Sequence, residues 1–463
     1  MTLRVYNTLS RELEEFKPLE EGVVRVYICG LTVYDHMHIG HARTYVAFDA
    51  ILRYLGCKGY KVRYVQNVTD VDDKIIKRAR EIKADPMKLS AEFAEKARED
   101  QKALGLLEAD SYPKVTENIE GIIAAVKKLI DDGYAYATDR GVYFDVAKSR
   151  DYGRLSNQDM EQLGQHRIEP DPGKRDMLDF SLWKKAKDGE LAFESPWGRG
   201  RPGWHIECTV MSQKYLGDQL DIHGGALDLI FPHHENEIAQ SEALTGRRPF
   251  VKYWLHTGFL NSSGEKMSKS LGNIISVREF LKTQGPDAFR LFILQTHYRS
   301  PVDYSKEHIV NAGKAVGRIR SFRAELAQAA SKAPGNGSKA GDIASELRRS
   351  FTESMDDDLN TPQAVAAIFD AIREINSLIT SGEESRESLK AFLSTYDELL
   401  GVLGFDFSDE VALSTEDKAL IEERRGHRLA KNWAESDRIR DLLLGRGIRV
   451  KDKKDGTEIV ERA

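Results

Sequence analysis

The chain has 463 residues, of which 41% are hydrophobic and 31% charged, with a formal net charge of −6. This length predicts about three to four domains, and the composition is typical of a soluble globular protein. No apolar run reaches the roughly 18 residues of a membrane span, and Met1–Arg4 lacks the apolar core of a signal peptide. Three cysteines exclude a disulfide scaffold, and so few cysteines predict that the protein lies in a reducing cytoplasm. The negative net charge does not exclude nucleic-acid binding, because a local basic patch is enough for it.

The first part of the chain predicts a strand, a helix and a second strand. Val23–Ile28 is rich in β-branched residues, an apolar-periodic stretch covers residues 42–55, and Tyr60–Val65 follows. This βαβ pattern predicts an α/β fold with a Rossmann-type, doubly wound parallel sheet. Because ligands bind beyond the carboxyl ends of such strands, Ile28–Gly30 and Asn67–Asp70 are expected to face a ligand.

An insertion is expected between two halves of this sheet. Residues 85–131 have a charged helical pattern, and residues 134–193 are irregular, with scattered glycine, proline and tryptophan. Strand-like segments return at Leu220–Ile222 and Leu229–Phe231. The second half of the sheet is therefore expected to begin near residue 201.

The remainder of the chain is expected to be a helical bundle followed by a small domain. Helix dominates from Lys306 onward, with a flexible segment at Ser331–Ser338. Residues 421–463 contain twelve basic and nine acidic side chains, a local balance of +3 in an acidic chain. The predicted first half of the sheet domain, insertion, second half of the sheet domain, helical bundle and small C-terminal domain cover residues 1–115, 116–200, 201–305, 306–400 and 401–463.

The first motif whose residues are suited to catalysis is His38-Ile39-Gly40-His41, between the first predicted strand and its helix. A helix N-terminus presents unpaired N–H groups to an anion, and Gly40 allows a ligand to approach the backbone. His38 and His41 can stabilise charge on a phosphoryl group under attack. Four residues alone would equally describe two surface histidines, but the strand–turn–helix context favours a phosphate site.

The second motif is Lys266-Met267-Ser268-Lys269-Ser270, in a polar loop rich in glycine and serine. Lysine acts as a point charge on phosphate, and a closing loop can hold Lys266 and Lys269 against a triphosphate. By themselves, two lysines three residues apart indicate an ordinary basic loop. Together and in this order, the two motifs resemble the HIGH and KMSKS motifs of class I aminoacyl-tRNA synthetases.

A third group of residues can be interpreted as a metal site. His233 and Glu237 lie four residues apart behind Pro232, at a predicted helix start, and so share one helix face. With Cys29 and Cys208 they form a set that suits tetrahedral zinc. Spacing alone favours the alternative, in which both cysteines are small buried apolar residues and His233 caps its helix.

Five stretches of the chain resemble cysteinyl-tRNA synthetases, and the resemblance extends from about Val26 to the C-terminus. The stretches are Tyr27–Asp35, Asn67–Lys74, Gly203–Cys208, Phe231–Glu237 and Met355–Pro362. The resemblance implies that one zinc ion at the floor of the amino-acid pocket is held by Cys29, Cys208, His233 and Glu237. His234 is not expected to be a ligand, because adjacent residues point about 100° apart around a helix.

The same resemblance implies an activity and its binding residues. The enzyme would use ATP and Mg²⁺ to convert L-cysteine to cysteinyl-adenylate, and would transfer the cysteinyl group to the 3′ end of tRNA(Cys). Zinc–thiolate bonding would select cysteine, because a hydroxyl is a poor zinc ligand. The implied catalytic residues are His38, His41, Lys266 and Lys269. The implied ATP contacts are Gly40, Asp228 and Lys269, and the implied cysteine contacts are Gly30, Thr69 and Trp204. By the same resemblance, residues 1–115 and 201–305 would form the catalytic domain, residues 306–400 would bind tRNA, and residues 401–463 would bind the anticodon. A cytoplasmic monomer without membrane contact is expected.

Some positions depart from the family pattern or carry a weaker interpretation. Ala226 stands where the family usually has glycine, on the adenosine side, and no tryptophan follows Thr457. Trp433 can stack on a base or lie in a helix core, and both interpretations stay open. The stretch Gly198–Gly203 matches GxGxxG but contains a proline, so it is interpreted as a loop. No role is assigned to Cys57.

Two other functions fit parts of the pattern. A ligase that transfers cysteine to an amino sugar would share the zinc site and both motifs. The roughly 160 residues beyond Tyr304 and their basic end favour tRNA instead. A non-enzymatic, zinc-stabilised RNA-binding protein would need neither motif, and no RRM, KH or zinc-knuckle pattern occurs.

Overall fold

The computed structural model describes residues 2–157, 171–187, 189–262, 265–266, 274–333, 335–407, 415–452 and 458–462. The chain divides into two compact units. The first comprises Met1–Ile309 and Glu353–Pro362, and the second comprises Val310–Thr352 and Gln363–Ala463. The finer division into five domains stays a prediction. Among the described residues, no helix is both long and apolar enough to cross a membrane.

The first unit contains both strands and helices. Its strands are β1 (Arg4–Asn7), β2 (Glu12–Glu15), β3 (Val23–Ile28), β4 (Lys61–Gln66), β5 (Ala135–Thr138), β6 (Gly141–Phe144), β7 (Phe180–Lys185), β8 (Gly200–Pro202), β9 (Leu220–Ala226), β10 (Val251–Thr257), β11 (Leu260–Ser262), β12 (Glu265–Lys266) and β13 (Val302–Tyr304). Its helices are α1 (Ile39–Cys57), α2 (Asp73–Ile82), α3 (Pro86–Ala103), α4 (Ile119–Asp131), α5 (Trp204–Leu216), α6 (Glu235–Thr245), α7 (Val277–Leu281) and α8 (Pro286–Leu294).

The core of the first unit is a parallel sheet with the strand order β10-β9-β3-β4. The predicted strand Val23–Ile28 is confirmed, and the helix predicted over residues 42–55 runs from Ile39 to Cys57. Strands β3 and β9 are central and mostly buried, which agrees with their apolar, β-branched residues. The predicted parallel α/β fold is confirmed, and the carboxyl ends of β3, β4 and β9 meet at one edge.

The segment between β4 and β9 contains more regular structure than the sequence indicates. The described part of residues 134–193 is not irregular, because it contains β5, β6 and β7, which form an antiparallel sheet with β8 in the order β5-β6-β7-β8. Strands β5 and β6 have four residues each, too few for a clear two-residue period. The prediction of a loop at Gly198–Gly203 is also wrong in part, since β8 lies within it and pairs with β7.

The strand predicted at Leu229–Phe231 is wrong. Leu227–Leu229 forms a short 3₁₀ turn, and Ile230–His234 forms a wider helical turn in which Phe231 is extended, before α6 begins. A run of three apolar residues does not distinguish a strand from a buried turn, and Pro232 lacks the N–H that a sheet ladder requires. This turn places two histidines immediately before a helix.

The second unit is mainly helical, as expected from Lys306 onward. Its elements are α9 (Lys306–Lys332, which starts in the first unit), α10 (Lys339–Asp356), α11 (Thr361–Ser381), α12 (Arg386–Val402), α13 (Thr415–Leu429), α14 (Trp433–Gly445), β14 (Ile448–Asp452) and β15 (Glu458–Arg462). Rings of Phe322, Phe392 and Tyr396 pack together between α9 and α12. The segment predicted to be a linker, Ser331–Ser338, lies mostly between α9 and α10, with Pro334 outside the described residues.

Gly203 offers a test of how α5 is positioned. A Cβ atom at Gly203 would lie 1.8 Å from the Ser181 carbonyl oxygen of β7, whereas a Cβ at Gly56 in α1 would meet nothing within 4 Å. We expect Gly203→Ala to lower the midpoint of thermal unfolding by about 5–10 °C, because backbone cannot yield as a side chain does. Gly56→Ala is the matched control and should leave the midpoint unchanged or raise it. Equal midpoints for the two variants in circular dichroism would contradict this account.

Candidate functional site

The ends of β3 and β4 approach each other closely at Gly30. Its N–H donates to the Asn67 side-chain oxygen at 2.8 Å, and a Cβ on Gly30 would lie 1.6 Å from the Asn67 carbonyl oxygen. Only glycine fits this position without moving the backbone. The contact places Cys29, at the end of β3, beside the segment that contains Thr69.

The structure brings the four predicted metal ligands together. One possible ligand atom from each of Cys29, Cys208, His233 and Glu237 lies within 4.8 Å of the others, and all four residues are buried. Cys208 is on α5, Glu237 is on α6, and His233 is on the turn before α6. Two sulfurs, an imidazole and a carboxylate are a donor set that zinc accepts, so the residues present fit this metal.

A second, overlapping set meets the same distance criterion: Cys29, His223, His234 and Glu237. His234 Nε2 lies 3.3 Å from Cys29 Sγ, and His223 Nε2 lies 2.9 Å from Glu237 Oε2. His234 reaches the cluster although a regular helix would turn it about 100° from its neighbour. His223 was not predicted to belong to the site, although a histidine directly before Gly224 in the buried strand β9 was an available signal.

Further histidines surround the two sets. His205 Nδ1 lies 2.9 Å from His233 Nδ1, and His256 Nε2 lies 2.8 Å from His234 Nδ1. His233 Nε2 lies 3.1 Å from Glu237 Oε1. A ligating histidine typically bonds its other ring nitrogen to a neighbour, and His205 offers His233 such a bond.

Burial decides the protonation of most of these groups. It lowers the pKa of His223 and of His256 to about 3, so both rings are neutral. A hydrogen bond from Cys29 and the nearby His233 hold the pKa of the Cys208 thiol well below its usual value. A thiolate is the form of cysteine that binds metal, so this environment favours coordination.

The residues predicted to contact cysteine lie beside the cluster. Trp204 stacks on the His233 ring with centroids 4.3 Å apart, and the Lys74 ammonium lies 6.0 Å from the Trp204 ring centroid. The Thr69 hydroxyl is buried and lies 3.5 Å from a Glu207 carboxylate oxygen. Burial raises the pKa of Glu207 well above its usual value. Thr69 and Trp204 therefore reach the same region from two elements.

The HIGH motif caps α1 with its own histidines. The His41 N–H donates to His38 Nδ1 at 3.3 Å, the His38 N–H lies 3.5 Å from His41 Nδ1, and the two rings stack with centroids 3.5 Å apart. Because each Nδ1 accepts, the hydrogen of each neutral ring lies on Nε2. A Cβ on Gly40 would lie 2.9 Å from His38 Nδ1, so glycine allows the first ring to fold back.

The chain that follows the KMSKS motif pairs with the HIGH motif. The Ile39 N–H donates to the Ile275 carbonyl at 3.0 Å, and the Val277 N–H donates to the Met37 carbonyl at 2.9 Å. The Lys266 backbone lies in β12, while its side chain and the whole of Lys269 lie outside the described residues. The chain just after the KMSKS motif is therefore bonded to the chain at the start of the HIGH motif.

Three other predicted positions can be located. Asp228 lies on the short turn after β9, whose last residue, Ala226, pairs with Thr257 of β10. Trp433 begins α14 and is 54% exposed, with the Arg428 guanidinium 5.5 Å from its ring centroid. Cys57 is exposed at the end of α1. Thr457 lies outside the described residues.

Comparison with known proteins identifies the family. A sequence model of the tRNA synthetases class I (C) catalytic domain matches residues 15–314, and a DALR domain matches residues 350–408. The chain is 50% identical to a cysteine–tRNA ligase of Thermococcus gammatolerans, over 99% of this chain and 98% of that protein. It is 51% identical to one from Pyrococcus horikoshii, over 98% of each.

A solved structure shows the same fold. Methionyl-tRNA synthetase of Mycobacterium tuberculosis, in complex with methionyl-adenylate, superposes with a TM-score of 0.63. The superposition covers 82% of this chain and 89% of the methionyl-tRNA synthetase chain, at 18% sequence identity, so this similarity supports the fold alone. With about half of its residues shared along its whole length, the chain belongs to the cysteine–tRNA ligase family of class I aminoacyl-tRNA synthetases.

Proposed function

We propose that the chain is a cysteine–tRNA ligase, which activates L-cysteine with ATP and transfers the cysteinyl group to the 3′ end of tRNA(Cys). The observation that carries this proposal is the full-length identity of about one half to relatives of that name. The buried cluster of cysteine, histidine and glutamate supports a pocket for a thiol. The expectation of a cytoplasmic monomer is part of the same proposal.

We further propose that Cys29, Cys208, His233 and Glu237 hold zinc. The set with two cysteines is favoured over the set with His223 and His234, because zinc binds thiolate sulfur strongly and the second set contains only one cysteine, Cys29. Bound zinc would supply a bond to the sulfur of cysteine that the oxygen of serine makes poorly. Trp204 and Thr69 would complete the pocket around the rest of the substrate.

In the first reaction, the carboxylate of cysteine attacks the α-phosphorus of ATP. The bond from that phosphorus to the bridging oxygen breaks, and pyrophosphate leaves. The α1 N-terminus and the ring N–H groups of His38 and His41 would stabilise the developing charge. Gly40 leaves the backbone open to the phosphate, and Asp228 would contact the ribose.

The remaining contacts of ATP are assigned to the KMSKS motif. Lys266 and Lys269 would hold the β- and γ-phosphates, and Mg²⁺ would neutralise part of the negative charge of the triphosphate. The backbone pairing between residues 37–39 and 275–277 ties this loop to the HIGH motif. In the second reaction, the helical second unit, which includes most of the DALR match, would bind tRNA, and exposed Trp433 would be available to stack on a base.

Exchange between pyrophosphate and ATP tests this function. We expect exchange that requires cysteine and is about 10⁴-fold weaker with serine, because specificity rests on a bond that serine cannot make. Transfer of radiolabelled cysteine to tRNA(Cys), against transfer to an amino sugar, then identifies the acceptor. Exchange with cysteine but transfer only to the amino sugar would overturn the tRNA assignment.

Metal content tests the ligand set. We expect Cys208→Ser to lose the zinc that the unaltered chain carries, because it removes one of two sulfur donors. Cys57→Ser changes an exposed cysteine away from the cluster and should keep the metal. The measurement is elemental mass spectrometry of the purified chain.

The measurement of bound zinc also distinguishes the two candidate ligand sets, one with His233 and the other with His223 and His234. His233→Gln should lose zinc, and His234→Gln should keep it, since the favoured set contains only the first residue. The reverse result would assign the metal to Cys29, His223, His234 and Glu237 instead.

A variant of the HIGH motif tests the assignment of the phosphate site. We expect His41→Ala to lower kcat of the exchange reaction by about 10²–10³-fold, because a donor to the transition state is lost. The KM for cysteine should not change, since the thiol pocket is untouched. His308→Ala, at an exposed histidine of α9, is the control. Unchanged kcat in His41→Ala would contradict the assignment.

A further inference from the structure

The segment Asp356–Asn360 joins α10 to α11, yet it belongs to the first unit. Asp358 and Leu359 have φ angles of 58° and 57°, and successive non-glycine residues seldom adopt this left-handed conformation. Such a backbone persists only where surrounding contacts hold it, and these places are often functional. The contacts of Asp358 therefore indicate which part of the first unit this segment holds in place.

The carboxylate of Asp358 accepts from three donors of the first unit. The Tyr6 N–H and the Tyr298 hydroxyl donate to Oδ1 at 2.7 Å and 3.0 Å. The Arg299 Nε–H donates to Oδ2 at 2.7 Å. The Asp358 carbonyl also lies 3.0 Å from His297 Nε2. This aspartate, only 4% exposed, thus holds three consecutive residues, 297–299.

The loop held by Asp358 is bonded to the helix that begins at the HIGH motif. Arg43, two residues after His41, is 1% exposed. Its Nη2 donates to the carbonyls of Tyr298 at 2.6 Å and Ser300 at 3.1 Å. A shift of this loop would therefore move the first turns of α1, which contain the proposed phosphate site.

The same loop also supports the KMSKS hairpin, which is the antiparallel strand pair β11 and β12 whose last residue, Lys266, is the first residue of the motif. The Gly258 N–H donates to the Tyr298 carbonyl at 2.9 Å, and a Cβ on Gly258 would lie 2.3 Å from the Ser300 carbonyl oxygen. Strand β13, which follows the loop, pairs with β11, and β11 pairs with β12, which contains Lys266. Residues 297–304 thus contact Arg43 of α1, close to the HIGH motif, and β11, which pairs with the strand that contains Lys266.

We propose that Asp358 is a positioning residue for adenylation, which sets the placement of the HIGH motif relative to the KMSKS hairpin through the loop 297–300. The inference rests on the proposed function, because it assigns both motifs to ATP. Asp358 does not need to touch a substrate. Its effect would appear in the rate of the phosphoryl step and not in the binding of cysteine.

Asp356 provides a matched control on the same segment. It is 2% exposed and accepts from the Tyr54 hydroxyl at 2.7 Å, and the Lys58 ammonium lies 3.1 Å from its carboxylate. These partners lie at the other end of α1, where Tyr54 is about 20 Å along the helix from His41. Loss of the Asp356 charge should lower stability without moving either motif.

The experiment compares Asp358→Asn and Asp356→Asn in the full chain. Asparagine adopts the left-handed conformation readily, so the first variant removes charge without added backbone strain. Cysteine-dependent exchange is measured with active sites counted by adenylate formation. We expect kcat per active site to fall about 10–100-fold in Asp358→Asn and to stay within about twofold in Asp356→Asn. The KM for cysteine should not change in either variant.

A second variant carries the test should Asp358→Asn fail to fold. Tyr298→Phe removes one donor to Asp358 but keeps the carbonyl that accepts from Arg43. It should lower kcat in the same direction and by less, and the double variant should be no slower than Asp358→Asn. Unchanged kcat in both single variants, or an equal fall in Asp356→Asn, would overturn the inference. Absence of exchange in the unaltered chain would overturn the proposed function itself.

Discussion

Burial of ionisable side chains at one edge of a parallel sheet is the constraint on which the catalytic unit depends. Cys208, His233 and Glu237 are each no more than 1% exposed. Removal of a charge from water costs several kcal/mol per ion unless a partner or a cation compensates. His233 and Glu237 pair within one continuous segment, the turn before α6 and α6 itself, but Cys208 joins them only when α5 has folded against that segment. A bound zinc ion, as proposed, would compensate the same charges.

Two close backbone contacts make this convergence possible. Gly30 allows the end of β3 to lie against Asn67, and Gly203 allows the start of α5 to lie against Ser181 of β7. Strand β7 of the insertion thus positions the helix that places Cys208 beside Cys29, His233 and Glu237. The self-capped HIGH motif and the segment after the KMSKS motif share backbone hydrogen bonds. The Tyr45 hydroxyl of α1 donates to the Cys29 carbonyl at 3.3 Å, so the helix that begins with the HIGH motif contacts the strand end that carries the proposed thiol site.

Sequence patterns predicted the elements that are long and regular, and failed where they are short. Strand β3 was predicted with its observed bounds, and the helix after it within three residues at each end. The antiparallel sheet of the insertion was missed because three of its four strands have only three or four residues and show no reliable period. The turn at Ile230–His234 was predicted partly as a strand for the same reason. In the site, the four proposed ligands came from resemblance, since spacing alone favoured buried cysteines.

The sequence by itself determined the kinds of chemistry available: a helix that begins with HIGH, a lysine-rich KMSKS loop, and sulfur, imidazole and carboxylate donors in one chain. Only the tertiary structure decided which of these groups meet. It placed His223 and His234 within the cluster beside His233, and it turned Asp358 toward a loop 60 residues earlier in the chain. The physical reason is that these contacts depend on where separate elements cross in space, and local periodicity contains no information about such crossings.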